Sequence, residues 1–426
     1  MPLTSNSEAN DLPPTAVPTF PPTRHDALAQ LDSFVSLAGD DYRSKRNYDF
    51  GPAKQRHVSQ LSPYLRNGLI SEAEVVSAVL RTHTYKDAEK FLQEVFWRVY
   101  WKGYLENRSY IWKDYREDLA SLKIDAENDT PFHKAVSATT GIECLDTWSR
   151  ELVETGYLHN HARMWFASIW VFTLRLPWQL GADFFLRHLL DGDPASNTLS
   201  WRWVAGLHTK GKTYLARPSN IARYTADRFE TVSGLATQAS PIDDSHPHHP
   251  AKYNEIPPPP SQLSQTEGLL VLDEDLRKHT PSLDSTSPVL GLYPERLYKD
   301  EDFSPKVARF RQACLRDTLD PLQSEHGCPI EHTTNPNADR IHEWATRHNL
   351  TTLYLANPQI GPWGDLWGTI SPQLEERGIA LSYFRPWWEN ELFAKATSGF
   401  FKFKKDIDQV ADRMRTDDNS RDDGSS

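Results

Sequence analysis

Residues 191–203 read DGDPASNTLSWRW. Two carboxylates (Asp191 and Asp193), one amide (Asn197) and two indoles (Trp201 and Trp203) fall within this single short run. Acid, amide and indole do not crowd together for packing alone. A carboxylate held off water needs a cation, and the segment TGYLHNHARMWFAS offers one. Arg163 sits there on an apolar, helix-patterned stretch with Asn160 and Met164, where an unpaired guanidinium would be costly. FLQEVFWRVYW brings Glu94, Trp97, Arg98 and Trp101 within a helical turn or two. VSQLSPYLRNGLIS places Ser59 and Ser62 just before or at a helix start, where hydroxyls and free backbone N–H groups suit a phosphate. These residues fit a phosphate cradle and a buried ion pair, with amide and aromatic groups beside them.

Helices must carry most of these groups. From Asp26 to about Thr231 apolar residues recur at helical spacing, as in EAEVVSAVL and AEKFLQEVFWRVYWKGYLE. The stretch from Cys144 to Leu180 is nearly apolar after Met164 and predicts a buried core helix stopped near Pro177. Residues 1–25 are rich in Pro, Ser and Thr and read as disordered, 236–265 as a Pro/His-rich linker, and 406–426 as an acidic, solvated tail. The HPHHP of the linker has no acid or Cys partner spaced to complete a metal site, and it reads as incidental. Residues 266–405 change style. Short apolar runs, EGLLVLDEDL, SPVLGLYP, TTLYLAN and IALSYFRP, alternate with the helical stretches SPKVARFRQACLRD and ADRIHEWATRH, which predicts a parallel α/β layer.

Bulk properties narrow the class. A chain of 426 residues suggests two or three domains. Its three cysteines, Cys144, Cys314 and Cys328, form no CxxC pair, so neither a disulfide framework nor a thiolate metal cluster is indicated. The N-terminus has no basic start and no apolar leader, and no run approaches a membrane span. A soluble protein is expected, cytoplasmic, or nuclear or organellar in a eukaryote. Net charge is −11, yet Asp41–Glu230 holds 26 basic against 23 acidic side chains. That mildly basic half can meet an anionic partner.

The four motifs, in this order, resemble the flavin domain of the photolyase/cryptochrome family over roughly Tyr42–Val204. LSPYLRNGLIS is similar to its phosphate-binding run, and FWRVYW to its Trp-Arg-Glu helix with Val99 in place of Glu. TGYLHNHARM resembles its flavin-facing helix, and DGDPASNTLSWRW its Asp-Gly-Asp…Asn…Trp-x-Trp loop. The resemblance implies non-covalent FAD. Ser59, Gln60, Leu61 and Ser62 would hold the pyrophosphate, with Tyr42 closing over it. Arg163 and Asp191 would pair beside the isoalloxazine ring, and Asp193 would bind the ribityl or adenine side. Asn197 would face flavin N5, where a neutral amide accepts from the reduced ring without adding charge. Glu94, Arg98 and Asn160 complete the implied cofactor set. One departure is HVSQ in place of the family's common Thr-Ser-Arg run, so that Val58 lacks a hydroxyl and Gln60 a charge.

On the substrate side, members that open cyclobutane pyrimidine dimers wall their pocket with two tryptophans, matched here by Trp97 and Trp203. Glu94 would bond a base edge. Asn160 and Met164 match the dimer-type pair, where six-four enzymes carry two histidines; His159 and His161 fall out of register. Trp201 and Trp178 match the first two members of the family's electron-carrying tryptophan chain, with Trp112 and Trp170 as candidates for the third.

The implied fold is mostly α. An all-helical FAD-binding domain over 26–235 is followed by a smaller α/β, Rossmann-like domain over 266–405. The family's antenna domain usually comes first; here about forty residues precede Tyr42, and the segment from Thr351 onward resembles the second half of such a domain. A second, antenna chromophore is left open. The expected activity is light-driven repair of cyclobutane dimers in damaged DNA, by a monomer without membrane attachment. The alternative is a cryptochrome-type photoreceptor without repair.

Overall fold

The computed structural model describes residues 19–55, 57–226, 228–229, 232–242, 246–277 and 281–422. From Arg24 to Tyr224 the chain is built of helices whose ends follow local chemistry. Ser71 and Glu74 form a reciprocal capping box on the helix Glu72–Thr82. Thr84 caps the long helix Tyr85–Glu106. Gly68 and Gly156, both left-handed, end the helices before them. The helix Asn160–Ser168 runs into a π turn over Ile169–Thr173 and ends ahead of Pro177, whose carbonyl accepts from Trp170 Nε1 at 2.9 Å.

Residues 232–242 and 246–260 form neither helix nor strand. They are nonetheless tied down: Ala236 N donates to Thr173 Oγ1 (3.0 Å), Lys252 N to Asn107 O (2.9 Å) and Tyr253 Oη to Asn390 O (3.0 Å). Beyond them lies a parallel sheet of β1 (Glu267–Leu272), β2 (Val289–Leu292), β3 (Ile330–Thr333), β4 (Thr352–Ala356) and β5 (Ala380–Phe384), in the order β3-β2-β1-β4-β5. Register runs Leu269 with Val289 on one side of β1 and with Tyr354 on the other. Four strands lie on the apolar runs. β3, with sequence IEHT, has no such run, and its place is set by pairing with β2. β1 and β2 are almost wholly buried, as suits a sheet covered on both faces. Trp344, Trp363 and Trp367 pack in the core on one side of it. Among the described residues no helix is long and apolar enough to cross a membrane.

Both chain ends differ from expectation. Within 1–25, residues 1–18 lie outside the described residues, but Phe20 packs its ring on Tyr64 and Tyr157 (6.2 and 5.5 Å between centroids) and a helix starts at Arg24. The segment read as a solvated tail is a helix, Ile407–Asp422, packed against Glu72–Thr82. Its buried residues Ile407, Val410, Ala411 and Met414 recur at helical spacing. The acidic residues between them hide this period in the sequence. Residues 423–426 lie outside the described residues.

Buried ions lock the two halves together. Asp193 caps the helix Pro194–Val204 through Ser196 N (2.7 Å). Its other oxygen takes Arg98 Nη1 at 2.7 Å and lies 4.0 Å from Arg66 Nε. Arg98 also reaches Glu72 (3.2 Å), and Arg66 reaches Gly192 O (3.0 Å) and Glu274, just past β1, at 3.0 Å. A second clasp joins Lys102 to Glu389 (2.5 Å) and Glu389 to Arg277 (2.7 Å). Beside it Gly103 lets Phe393 approach; a Cβ there would lie 2.7 Å from Phe393 Cδ1.

Burial works to raise the Asp193 carboxyl, but Arg98 and Arg66 outweigh it and hold the group well below the usual carboxylate range. A depressed folded value means the stabilisation is complete above the unfolded pKa and is lost as pH falls through the folded one. Asp193→Asn should therefore destabilise the protein, toward the lower end of roughly 3–5 kcal/mol because Glu72 stays with Arg98. In urea unfolding across a pH series, the gap from wild type should stay constant from neutral pH down to about pH 4, the unfolded Asp value, and narrow only below it. A gap that closes between pH 8 and 6 would show that another group sets it.

Candidate functional site

Three helices that pack on one another carry the chemistry. Tyr85–Glu106 bears Glu94 and Trp97, Asn160–Ser168 bears Asn160 and Met164, and Pro194–Val204 bears Trp203. All five of these side chains keep some exposure; Asn160 is exposed and the other four are half-buried. The spacings Glu94 to Trp97 and Asn160 to Met164 put each pair on one helix face. Glu94 is ion-paired with Arg46. Burial raises its carboxyl, against the opposing pull of Arg46. Trp203 stacks on Tyr214 (5.8 Å, 27°). Trp97 lies flat on Phe400 of the C-terminal half, centroids 3.6 Å apart and planes 9° from parallel. His159 and His161 are pushed by burial to about 4, so both are neutral at neutral pH.

Beneath this layer lie buried polar groups. Arg163 Nη2 meets Asp191 Oδ2 at 2.8 Å, and Arg163 Nε donates to Leu158 O at 2.7 Å. Asp191 Oδ1 is buried with no hydrogen-bond partner, and so is Gln60 Nε2, an acceptor and a donor left over. Gln60 holds φ at 54°, a left-handed conformation that a side chain adopts only when its surroundings impose it. Asn197 spends its Nδ2 on Ala182 O (2.7 Å), which leaves the amide oxygen as what it offers. An orphaned acceptor, an orphaned donor and a free amide oxygen fit a polar heterocycle such as FAD.

Other residues stand differently from the expectation. Asp193 and Arg98, each expected to face the cofactor, are spent on one another and on Ser196, Glu72 and Arg66, because neither charge can lie buried unpaired. Tyr42, expected over the pyrophosphate, is a core residue packed edge-on to Phe34 and Phe91 (5.9 and 5.2 Å). In the phosphate run, Ser59 Oγ accepts from Leu61 N (3.4 Å), Leu61 is buried, and Ser62 opens the short helix Ser62–Asn67. Sequence reasoning missed Arg46, Arg66 and Phe400. Arg66 lies inside LSPYLRNGLIS and Phe400 inside the segment that begins at Thr351, but their partners are set by tertiary contact.

The tryptophans form two groups. Trp201 is buried and meets Trp170 edge-on (6.2 Å, 84°); Gly181 makes room for it, since a Cβ there would lie 2.3 Å from Trp201 Cη2. Trp178 stacks on Tyr115 (5.5 Å, 27°), which lies 5.2 Å from Trp112. Trp170 thus adjoins Trp201, whereas Trp112 joins Trp178 through Tyr115.

In a sheet of this order, ligands sit at the carboxyl ends where the winding reverses, between β1 and β4. That crevice is filled by Lys102, Glu106, Arg277, Arg385 and Glu389 and leaves about 20 Å³ open, room for one water rather than an aromatic ring. Among the described residues no group of three or more His, Cys, Asp or Glu could hold a metal ion.

Residues 91–232 match the family model described as the FAD binding domain of DNA photolyase. The deoxyribodipyrimidine photo-lyase of Streptomyces griseus is 34% identical over 207 residues, 47% of this chain and 43% of the relative. That of Neurospora crassa is 30% identical over 204 residues, 46% of this chain and 32% of the relative. A solved bacterial class III photolyase from Agrobacterium tumefaciens shares 29% identity at a TM-score of 0.41, covering 48% of this chain and 43% of that one. The chain thus spans less than half the length of these proteins. Over residues 91–232, a third of its length, the chain is thus similar to the FAD binding domain of DNA photolyases.

Proposed function

We propose that this protein binds FAD non-covalently and repairs cyclobutane pyrimidine dimers in DNA by light-driven electron transfer. The observation that carries the reading is the layering of the three helices. Trp97, Trp203, Glu94, Asn160 and Met164 keep some exposure, and two of the same helices carry Arg163, paired with the buried Asp191, and the buried Asn197. Relatives named deoxyribodipyrimidine photo-lyase support it.

Reduced FAD, when bound, supplies the excited-state electron. The chain's own residues do the rest. Trp97 and Trp203 offer ring surfaces to a flipped base, and a damaged, poorly stacked step is cheap to extrude. Glu94 presents its carboxyl to a base edge, its pKa raised by burial against the pull of Arg46. Asn160 presents an amide to a base edge, and Met164 fills the space one turn on. Arg163 and Asp191 hold a fixed dipole below them, and Asn197 turns its oxygen inward as an acceptor. Damaged DNA is the partner this pocket suits.

A second reading, a cryptochrome-type photoreceptor, draws on one contact: Phe400 covers a face of Trp97, which narrows what that ring can offer to a base. Illumination of the reduced protein with a dimer-containing oligothymidine separates the two. Restoration of intact thymines is expected; its absence, in protein that holds FAD, leaves the photoreceptor.

Asp191→Asn should weaken FAD retention roughly tenfold or more, the factor that about 1.4 kcal/mol represents, because Arg163 loses its counterion. Flavin absorbance after gel filtration measures this, and full occupancy would show that the pair does not support the cofactor. Trp201→Phe should slow photoreduction of bound flavin yet spare repair by chemically reduced protein; equal photoreduction rates remove Trp201 from the electron path. Trp203→Ala should cost roughly 1–3 kcal/mol in binding a dimer-containing strand and leave FAD content unchanged. Titration against damaged and undamaged oligonucleotides at one salt concentration reads that loss, and a variant that keeps its full preference for damage would sink the pocket assignment.

A further inference from the structure

Three large apolar side chains stand exposed among the described residues, and Phe401 is the most exposed of them at 81%. Its neighbours show where it stands. Phe400 turns inward onto Trp97, and Phe403 onto Tyr100 (5.2 Å). The short helix Phe400–Phe403 therefore lies on the same helix that carries Glu94 and Trp97. Phe401, next in sequence to Phe400, keeps its ring in solvent instead. Lys402 and Lys405 are exposed with it. Of the other charges nearby, Lys404 and Asp406 are paired. Lys404 Nζ lies 3.8 Å from Glu89, Asp406 lies 3.4 Å from Lys395, and Asp408 lines a separate cleft with Arg81 and Arg415. Among the described residues Lys402 and Lys405 form no ion pair.

We propose that Phe401, Lys402 and Lys405 bind unpaired nucleotides of a DNA strand, next to the one whose base enters between Trp97 and Trp203. The proposal rests on the reading of that pocket. Every base has a π face, so one bare ring accepts any base while lysines take the adjoining phosphates. Flipping a base out of a duplex leaves its neighbours with an uncovered face. An exposed ring beside the pocket supplies a surface for such a neighbour. Continuity with Trp97 through Phe400, and two lysines free of carboxylates, favour a nucleic acid over an apolar protein partner. The surface belongs to the C-terminal half, so that half contributes to substrate binding.

The test compares wild type, Phe401→Ala and the double variant Lys402→Glu/Lys405→Glu. Each is titrated with undamaged single-stranded oligothymidine, the same strand bearing a dimer, and an undamaged duplex. Phe401→Ala should weaken both single strands about 5- to 150-fold, the range one aromatic stacking surface gives, and leave the duplex unchanged. The ratio of damaged to undamaged single-strand affinity, set by the pocket, should stay at the wild-type value. The double variant should flatten the slope of log affinity against log salt by about 1.4, two phosphate contacts at about 0.7 each. Unchanged single-strand affinity in Phe401→Ala overturns the proposal, as does a wild type that binds no single strand. A wild type that binds but shows no preference for the dimer overturns the pocket reading instead, and the Phe401→Ala titration still decides this one.

Discussion

Asp193 accepts from Ser196 N with one oxygen and from Arg98 with the other, and Arg66 stands next to the second. Those three contacts belong to three different segments. One starts the helix that carries Asn197, Trp201 and Trp203; one fixes the helix that carries Glu94 and Trp97; and one continues through Arg66 to Glu274 at the edge of the sheet. Removing Asp193 would leave Arg98 to Glu72 alone and Arg66 to Glu274 alone, so the three segments would lose their shared partner. The relative placement of the proposed base pocket, the inner polar layer and the C-terminal half therefore traces back to one carboxylate. It also explains why Asp193 faces its own chain: both of its oxygens are engaged, one at the helix start and one with Arg98.

The site is layered by polarity. Below lie Arg163, Asp191 and Asn197, whose hydrogen bonds fix their orientation. Above lie rings and an acid that keep some contact with water. Phe400 is a residue of the C-terminal half in that upper layer. The halves are thus mechanically one unit, joined where the chemistry is proposed rather than only at a remote seam.

What the sequence made legible was whatever local patterning dictates. The run from Met164 to Pro177 shows its burial through composition, and the β1, β2, β4 and β5 segments show theirs through short apolar runs bounded by turn residues. Arg163 and Asp191 could be paired on paper because few cations lie in comparably apolar sequence. The protein partners of Arg98 and Tyr42 are not written in their motifs: Glu72 and Asp193 pair with the first, and Phe34 and Phe91 pack on the second. The helix Ile407–Asp422 was hidden by its acidic face, although Ile407, Val410, Ala411 and Met414 mark one side. Arg66 and Phe400 find partners 208 and about 300 residues away, a separation at which spacing carries no information.

That separation has a cost in time. Arg66 leaves the ribosome 208 residues ahead of Glu274, and Lys102 287 residues ahead of Glu389. At 5–20 residues per second, Arg66 waits roughly 10–40 s for Glu274. During that interval the helical half's guanidinium and ammonium groups must stay wet, which keeps the surface beneath them open. The nascent helical half is therefore the stage at which this protein is most exposed to misassociation, until the sheet and the C-terminal helices arrive to cover it.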